Sequence, residues 1–218
     1  VTKVTAADGG VHLYEYDAAG RVTAYTDPEG ARQTYAYNQA GRVEAVTDAM
    51  GRKYEYAYDK TGNLTKVNDP LGQVTSYNYN TLNQLTRLTD PLGRVTKYLY
   101  DYVNRTVTVT DPAGAENSFT YDPLDRLVEL KDARGSITKF AHDAGGNLVS
   151  VTDALGNMTA YEYDANSQLV KEVLPGGGTV TYEYDARGNV IKETDQLGSS
   201  TIYEYDAANR LVKTTDAK

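Results

Sequence analysis

An all-β array of antiparallel hairpins is what the sequence predicts, and three observations predict it. From Ala6 to Thr215 a 21-residue unit is written ten times without insertion or deletion. Each unit carries two turn signals, ten or eleven residues apart. The runs between them are rich in β-branched and aromatic residues and too short for helices. A register this strict marks each unit as one supersecondary element that cannot bury its apolar surface alone.

The repeat signature is a glycine followed by two rings. The glycines are Gly9, Gly30, Gly51, Gly72, Gly93, Gly114, Gly135, Gly156, Gly177 and Gly198. Five residues on comes a first ring: Tyr14, Tyr35, Tyr56, Tyr77, Tyr98, Phe119, Phe140, Tyr161, Tyr182 and Tyr203. Two further on comes a second: Tyr16, Tyr37, Tyr58, Tyr79, Tyr100, Tyr121, Tyr163, Tyr184 and Tyr205, with His142 alone breaking the column.

The elements follow in order within the unit that runs from Asp69 to Thr89. The first turn, Asp69-Pro70-Leu71-Gly72, places a side-chain acceptor first, a residue of fixed φ second and glycine fourth. Val74 to Tyr79 reads as a strand. The second turn is clearest in Asp17-Ala18-Ala19-Gly20, where glycine suits the φ > 0 site of a type I turn with a G1 bulge. Asn83, Asn104, Asp125 and Asn209 stand at that site in other copies, and Asn and Asp tolerate the left-handed region best after glycine; Ser167 fits poorly. Leu85 to Thr89 reads as the second strand.

Strands joined by tight turns pair as neighbours, which gives a meander of about twenty strands. Twist accumulates in a sheet that wide, so a curved or spiralling strip is expected. Two identical three-residue loops would shear the pairing by one residue per unit and send the tyrosines to alternating faces. One loop of different parity, or a bulge in every unit, is therefore required. Tyr37 should face Val43, and Tyr79 should face Leu85. Apolar rows occur on both faces, so periodicity does not say which face is inside.

Composition bounds function. The 218 residues carry a net charge of −8 with scattered basic residues, which argues against a nucleic-acid surface. There is no cysteine, hence no disulfide or thiolate metal site, and no run approaches the roughly 18 apolar residues of a membrane span. His12 and His142 lie in different units, so catalysis has little to stand on; His142 reads as a packed ring. Asp27, Asp48, Asp69, Asp90, Asp111, Asp132, Asp153 and Asp195 could in principle form a ladder of calcium sites, but turn bonds to the backbone explain their placement. No cofactor and no metal is expected. Tyrosines beside carboxylates also suit a sugar-binding surface, against which cross-strand packing is the simpler account. Repeat nine deviates, with Leu174 in place of the turn aspartate and Gly176, Gly177 and Gly178 in a row, and reads as a weak point or bend.

The pattern Tyr-x-Tyr-Asp-x-x-Gly-Arg-Val, fullest at Tyr14 to Val22 and Tyr182 to Val190, resembles the RHS family, also called YD repeats. The Asp-Pro-x-Gly turns at Asp27, Asp69, Asp90 and Asp111 belong to the same pattern. The resemblance implies a β-strip that spirals into a hollow shell. In bacterial polymorphic and insecticidal toxins such shells enclose a C-terminal toxic polypeptide, and in teneurins a similar shell serves adhesion. No core segment, autoproteolytic aspartate site or toxin domain is found in this chain. The expectation is a single array over residues 1–218, part of a longer exported protein, acting as shell wall without enzymatic activity. Its partners would be the remaining repeats and the enclosed polypeptide, with edge-to-edge self-association open to its terminal strands. No nucleic-acid binding or membrane insertion is expected. The alternative is an extracellular adhesion or carbohydrate-binding module.

Overall fold

A computed structural model describes residues 1–216. Every described element is a β-strand, and the chain falls into two compact units, Val1–Leu99 with Val109–Gly114, and Tyr100–Thr108 with Ala115 onward. The first holds β1 (Thr2–Thr5), β2 (Val11–Tyr16), β3 (Val22–Thr26), β4 (Arg32–Tyr37), β5 (Val43–Thr47), β6 (Lys53–Tyr58), β7 (Leu64–Asn68), β8 (Val74–Tyr79) and β9 (Leu85–Thr89). β10 (Val95–Asp101) and β11 (Thr106–Thr110) have residues in both. The second continues with β12 (Glu116–Tyr121), β13 (Leu127–Lys131), β14 (Ile137–His142), β15 (Leu148–Thr152), β16 (Met158–Tyr163), β17 (Leu169–Val173), β18 (Thr179–Tyr184), β19 (Val190–Thr194), β20 (Ser200–Tyr205) and β21 (Leu211–Asp216). Within each unit consecutive strands pair antiparallel, two strands per repeat.

Both turns of a repeat close with the same two backbone bonds. At the first kind Gly30 N–H donates to Asp27 C=O at 3.1 Å and Asp27 N–H to Ala31 C=O at 3.1 Å; at the second Gly20 and Asp17 do the same with Asp17 and Arg21, at 3.0 Å each. The ten signature glycines all have positive φ, from 76° to 88°. Identical loops would flip the tyrosines from face to face, and a bulge prevents it. Glu15 pairs Ala24 but Tyr16 pairs Val22, one residue out of step, and the same shift recurs beside every second-kind turn whose strand pairing is described. No shift occurs across the first kind, where Ala24, Tyr25 and Thr26 pair Thr34, Gln33 and Arg32. Tyr37 faces Val43 and Tyr79 faces Leu85, as the hairpin geometry requires.

One turn departs from the expected pattern. The left-handed residue of repeat five is Arg105, with φ of 52°, and not Asn104. In this turn the Asn104 side-chain amide donates to Asp101 Oδ2 at 2.7 Å, and the Thr106 hydroxyl lies 3.2 Å from the Asn104 carbonyl and 3.1 Å from the Thr120 hydroxyl. In the other copies the position of Thr106 holds Val or Leu, which have no hydroxyl to give. Ser167, despite its poor propensity, does take the left-handed conformation at 61°.

There is no conventional core. Among the described residues only Ala24 and Ala45 are buried, and no large side chain is. The chain exposes 14207 Å² for 23.9 kDa, more than the roughly 12,000 Å² expected even of two separate globular proteins of half that mass. Stability therefore comes from ladders, turns and in-plane packing between side chains of neighbouring strands.

Candidate functional site

The repeated chemistry sits in three places: the turns, the tyrosine face and the charged face. Every turn aspartate named above spends its carboxylate on its own loop. Asp69 Oδ1 accepts the N–H groups of Leu71 at 2.9 Å and Gln73 at 2.8 Å, and Asp153 does likewise with Leu155 and Asn157. Asp27, Asp48, Asp90, Asp111, Asp132 and Asp195 each accept at least one such bond. Among the described residues no three acidic or imidazole groups converge as metal ligands. Acceptor duty shows in the titration. At Asp17 the Arg21 backbone N–H, then the Arg21 guanidinium, hold the carboxyl below its ordinary value. At Asp59 burial pushes the carboxyl up, but bonds from the Asn63 and Thr61 side chains and from backbone amides outweigh it and bring it to about 2.

The signature rings share one face. Tyr35, Tyr37, Tyr56, Tyr58, Tyr77, Tyr79, Tyr98 and Tyr100, and likewise Tyr161, Tyr163, Tyr182, Tyr184, Tyr203 and Tyr205, are half-buried, and the residues between them, such as Ala36, Asn78 and Glu183, are exposed. The two ring columns do different work. First-column rings pack across the hairpin, Tyr35 on Val46, Tyr56 on Val67 and Tyr77 on Leu88. Second-column rings reach the neighbouring hairpin. Tyr37 donates its hydroxyl to Val22 C=O at 2.7 Å, Tyr58 to Val43 at 2.9 Å, Tyr79 to Leu64 at 2.9 Å, Tyr163 to Leu148 at 2.9 Å and Tyr184 to Leu169 at 2.8 Å. The acceptor in each case is the residue at the bulge. The described ladder between β3 and β4 ends at Ala24 and Thr34, and the Tyr37 hydroxyl caps the strand beyond it. The Arg21 guanidinium lies 4.6 Å from the centre of the Tyr37 ring, and Arg42 stands over Tyr58 at 5.7 Å.

Sequence reasoning missed this clamp, although one signal for it stands in the columns themselves. The first column admits Phe119 and Phe140, whereas the second holds no Phe, and five of its tyrosines, Tyr37, Tyr58, Tyr79, Tyr163 and Tyr184, give the hydroxyl to the bulge carbonyl. His142 is half-buried opposite Leu148 with a partnerless Nδ1. His12 stacks on Tyr25 with centroids 5.9 Å apart, and its Nδ1 and the Tyr25 hydroxyl share a 2.8 Å hydrogen bond. The Tyr25 hydroxyl is the one polar side-chain partner of His12 among the described contacts, and no carboxylate is bonded to either histidine there.

The opposite face carries ion pairs beside exposed apolar side chains such as Val74, Ile137 and Met158. Cross-strand ion pairs join Lys171 to Glu162 and Lys192 to Glu183 at 2.8 Å each, and Lys213 to Glu204 at 2.5 Å. On the tyrosine face Glu172 and Glu193 interrupt a column that is otherwise mostly Val, Leu or Tyr, facing Tyr161 and Tyr182. Burial, then Glu193 and Glu172, raise the Tyr182 hydroxyl above its ordinary value.

Repeats of this length, with this turn and ring chemistry, match one family model along nearly all of the chain: Teneurin YD-shell, over residues 2–130 and 73–210. The chain belongs to the Teneurin YD-shell family. No curated protein matches it in sequence. Among solved structures the YD-shell fold recurs in TcdB2-TccC3 without its hypervariable C-terminal region, with a TM-score of 0.65 at 15% identity over 98% of this chain. It recurs again in a Photorhabdus luminescens Tc holotoxin pore, with a TM-score of 0.54 at 16% identity over 92% of this chain. The YD-shell chain spans only 15% and 14% of those two chains.

Proposed function

We propose that this chain is a wall segment of a hollow β-shell that encloses and delivers the C-terminal toxic polypeptide of an exported bacterial toxin. The observation that carries this reading is a YD-shell match that runs from Thr2 to Arg210 over repeats without a core of their own. A strip whose rings clamp hairpin to hairpin and whose carboxylates serve its turns is built to extend, with no catalytic step of its own. On this reading residues 1–218 act as one continuous array, and their partners are the neighbouring repeats and the enclosed polypeptide. Open sheet edges also permit self-association. The test is proteolysis of the full parent reading frame: cargo inside the intact shell resists a protease that degrades it once released. Cargo cleaved equally fast in both states removes the container reading.

A second reading, an adhesion or glycan-binding module, rests on Glu172 and Glu193 beside Tyr161 and Tyr182. Saturable glycan binding by this chain, lost in Tyr182→Ala, together with a parent that has no cargo, would select it.

A further inference from the structure

Two carboxylates on the tyrosine face have no counter-charge. Glu172 on β17 and Glu193 on β19 stand in the column where other repeats place Val46, Val67, Leu88 and Val151, and both are half-buried. Glu172 pairs directly with Tyr161 and lies diagonal to Tyr182, beside Val180; Glu193 pairs with Tyr182 and lies diagonal to Tyr203, beside Thr201. The row Tyr161, Glu172, Tyr182, Glu193, Tyr203 thus alternates ring and carboxylate, all within one compact unit. The lysines next to them in sequence, Lys171 and Lys192, are bonded to Glu162 and Glu183 on the opposite face. Among the described residues Glu193 accepts only the Tyr203 hydroxyl, at 3.3 Å, and Glu172 accepts nothing. Burial, then Glu172, raises the Tyr161 hydroxyl above its ordinary value, so the field of that carboxylate falls on the rings.

We infer that this row is a docking surface for a basic polypeptide segment, each glutamate taking a lysine or arginine side chain that also lies against the flanking tyrosine rings. A half-buried charge costs free energy unless it is paired, whereas valine in the same column packs without that cost. Charge complementarity therefore makes the absent partner a cation. The rings attract the same cation through their π faces, and the alkyl stem of lysine or arginine covers apolar ring surface while its head reaches the carboxylate. The net charge of −8 favours the approach of such a segment. Register sets the spacing the partner must match. Glu172 is level with Val180, and Glu193 is level with Tyr182, two residues along and two strands over. Steps of about 6.7 Å and about 9.6 Å put the two glutamates about 12 Å apart, which an extended chain spans in three to four residues. A neutral glycan would stack on the rings but leave both charges uncompensated. The chemistry of the row is the same whatever the strip encloses, so failure of this assignment would leave the shell reading untouched.

The test titrates the full 218-residue chain into a fluorescently labelled serine-threonine peptide carrying two lysines about four residues apart, at about 0.15 M salt, read by anisotropy. Saturable binding is expected, weakened about fivefold or more when Glu172→Gln and Glu193→Gln are combined. Glu29→Gln with Glu44→Gln removes the same charge from exposed positions elsewhere and should leave binding unchanged. Tyr182→Leu should weaken it about twofold to fivefold, and Tyr182→Phe, which keeps the ring, should not. Removing two uncompensated charges should hold or raise the urea midpoint of the Glu172 and Glu193 double variant. Four results would overturn the assignment: no saturation up to the peptide's solubility limit, equal weakening by the Glu29 and Glu44 changes, equal binding of a peptide with glutamine in place of both lysines, or a lowered urea midpoint in the Glu172 and Glu193 double variant, which would make the pair structural. A neutral oligosaccharide bound equally by the chain and that double variant, with no peptide bound by either, would give the row to the glycan reading instead.

Discussion

Three adjacent glycines in one turn provide a graded test of what the left-handed position is worth. Leu174 N–H donates to Gly178 C=O and Gly177 N–H to Leu174 C=O, both at 2.8 Å, so the loop has the same backbone bonds as its counterparts. Gly177 has φ of 83° with nothing near the position of an added Cβ. Gly177→Ala therefore meets no atom and is opposed by backbone strain alone, about 1–2 kcal/mol. Restricting the unfolded chain offsets about 0.4–1 kcal/mol of that, leaving a net loss of about 1 kcal/mol. Gly176 has the same open space without a positive φ, so Gly176→Ala keeps only the unfolded-state benefit and gains about 0.4–1 kcal/mol. At Gly178 an added Cβ would come 2.5 Å from Gln196 Oε1 and 3.0 Å from Gln196 Cβ, so Gly178→Ala forces Gln196 to move and loses part or all of the benefit expected at Gly176. Urea unfolding followed by tyrosine fluorescence resolves these differences, since about 1 kcal/mol moves the midpoint by about 0.3–1 M. Equal shifts for Gly176→Ala and Gly177→Ala would refute the conformational argument, because the two sites differ in backbone angle and not in room.

Other outcomes follow from the same geometry. Leu174→Asp restores the side-chain acceptor that the other turns of this kind use, and should raise the urea midpoint by the equivalent of about 0.5–1.5 kcal/mol; an unchanged midpoint would detach those bonds from stability. Tyr58→Phe strips the hydroxyl from the Val43 carbonyl and should lose about 0.5–1.5 kcal/mol, whereas Tyr56→Phe, in the column that admits Phe, stays within about 0.5 kcal/mol; equal losses would contradict the division of labour between the columns. His142→Tyr should stabilise the chain by supplying a hydroxyl where a nitrogen is now partnerless, and a lower melting temperature would sink that reading. The turn carboxyls of Asp17, Asp59, Asp122, Asp143 and Asp185 titrate below their unfolded value. Their stabilisation is complete above the ordinary aspartate range near pH 4 and is lost as pH falls through the lower folded values, about 2 at Asp59. Melting temperatures that stay level from pH 5 to pH 2 would contradict it.

Local chemistry made most of the fold legible. Hairpin, turn type and the facing of Tyr37 on Val43 all follow from residues within about ten positions of one another, and parity left two devices, a loop of different parity or a bulge in every unit, of which the chain uses the bulge. What the sequence did not disclose depends on bonds of longer reach or on a single exchanged residue. The Tyr37 hydroxyl meets Val22 fifteen residues away, in another hairpin. The left-handed residue moves to Arg105 in the copy that has Thr106 in place of Val or Leu, which propensity at Asn104 could not foresee. Repeat nine reads as a weak point in sequence, yet β17 and β18 pair in the same register as their counterparts, because the turn's two backbone bonds need no aspartate.

The bulge has one more effect within each compact unit. Glu15 lies level with Thr34 through Ala24, yet its counterpart one repeat on is Ala36. Each hairpin is therefore set two residues along the strand axis from the last. Two residues are about 6.7 Å and two strand spacings about 9.6 Å, so rows of equivalent side chains run about 35° from the perpendicular to the strands. That slope lies at the low end of the strand tilt that closed barrels require. A single misaligned residue in each hairpin thus keeps the rings on one side and gives a growing strip its pitch, with no residue set aside to encode it.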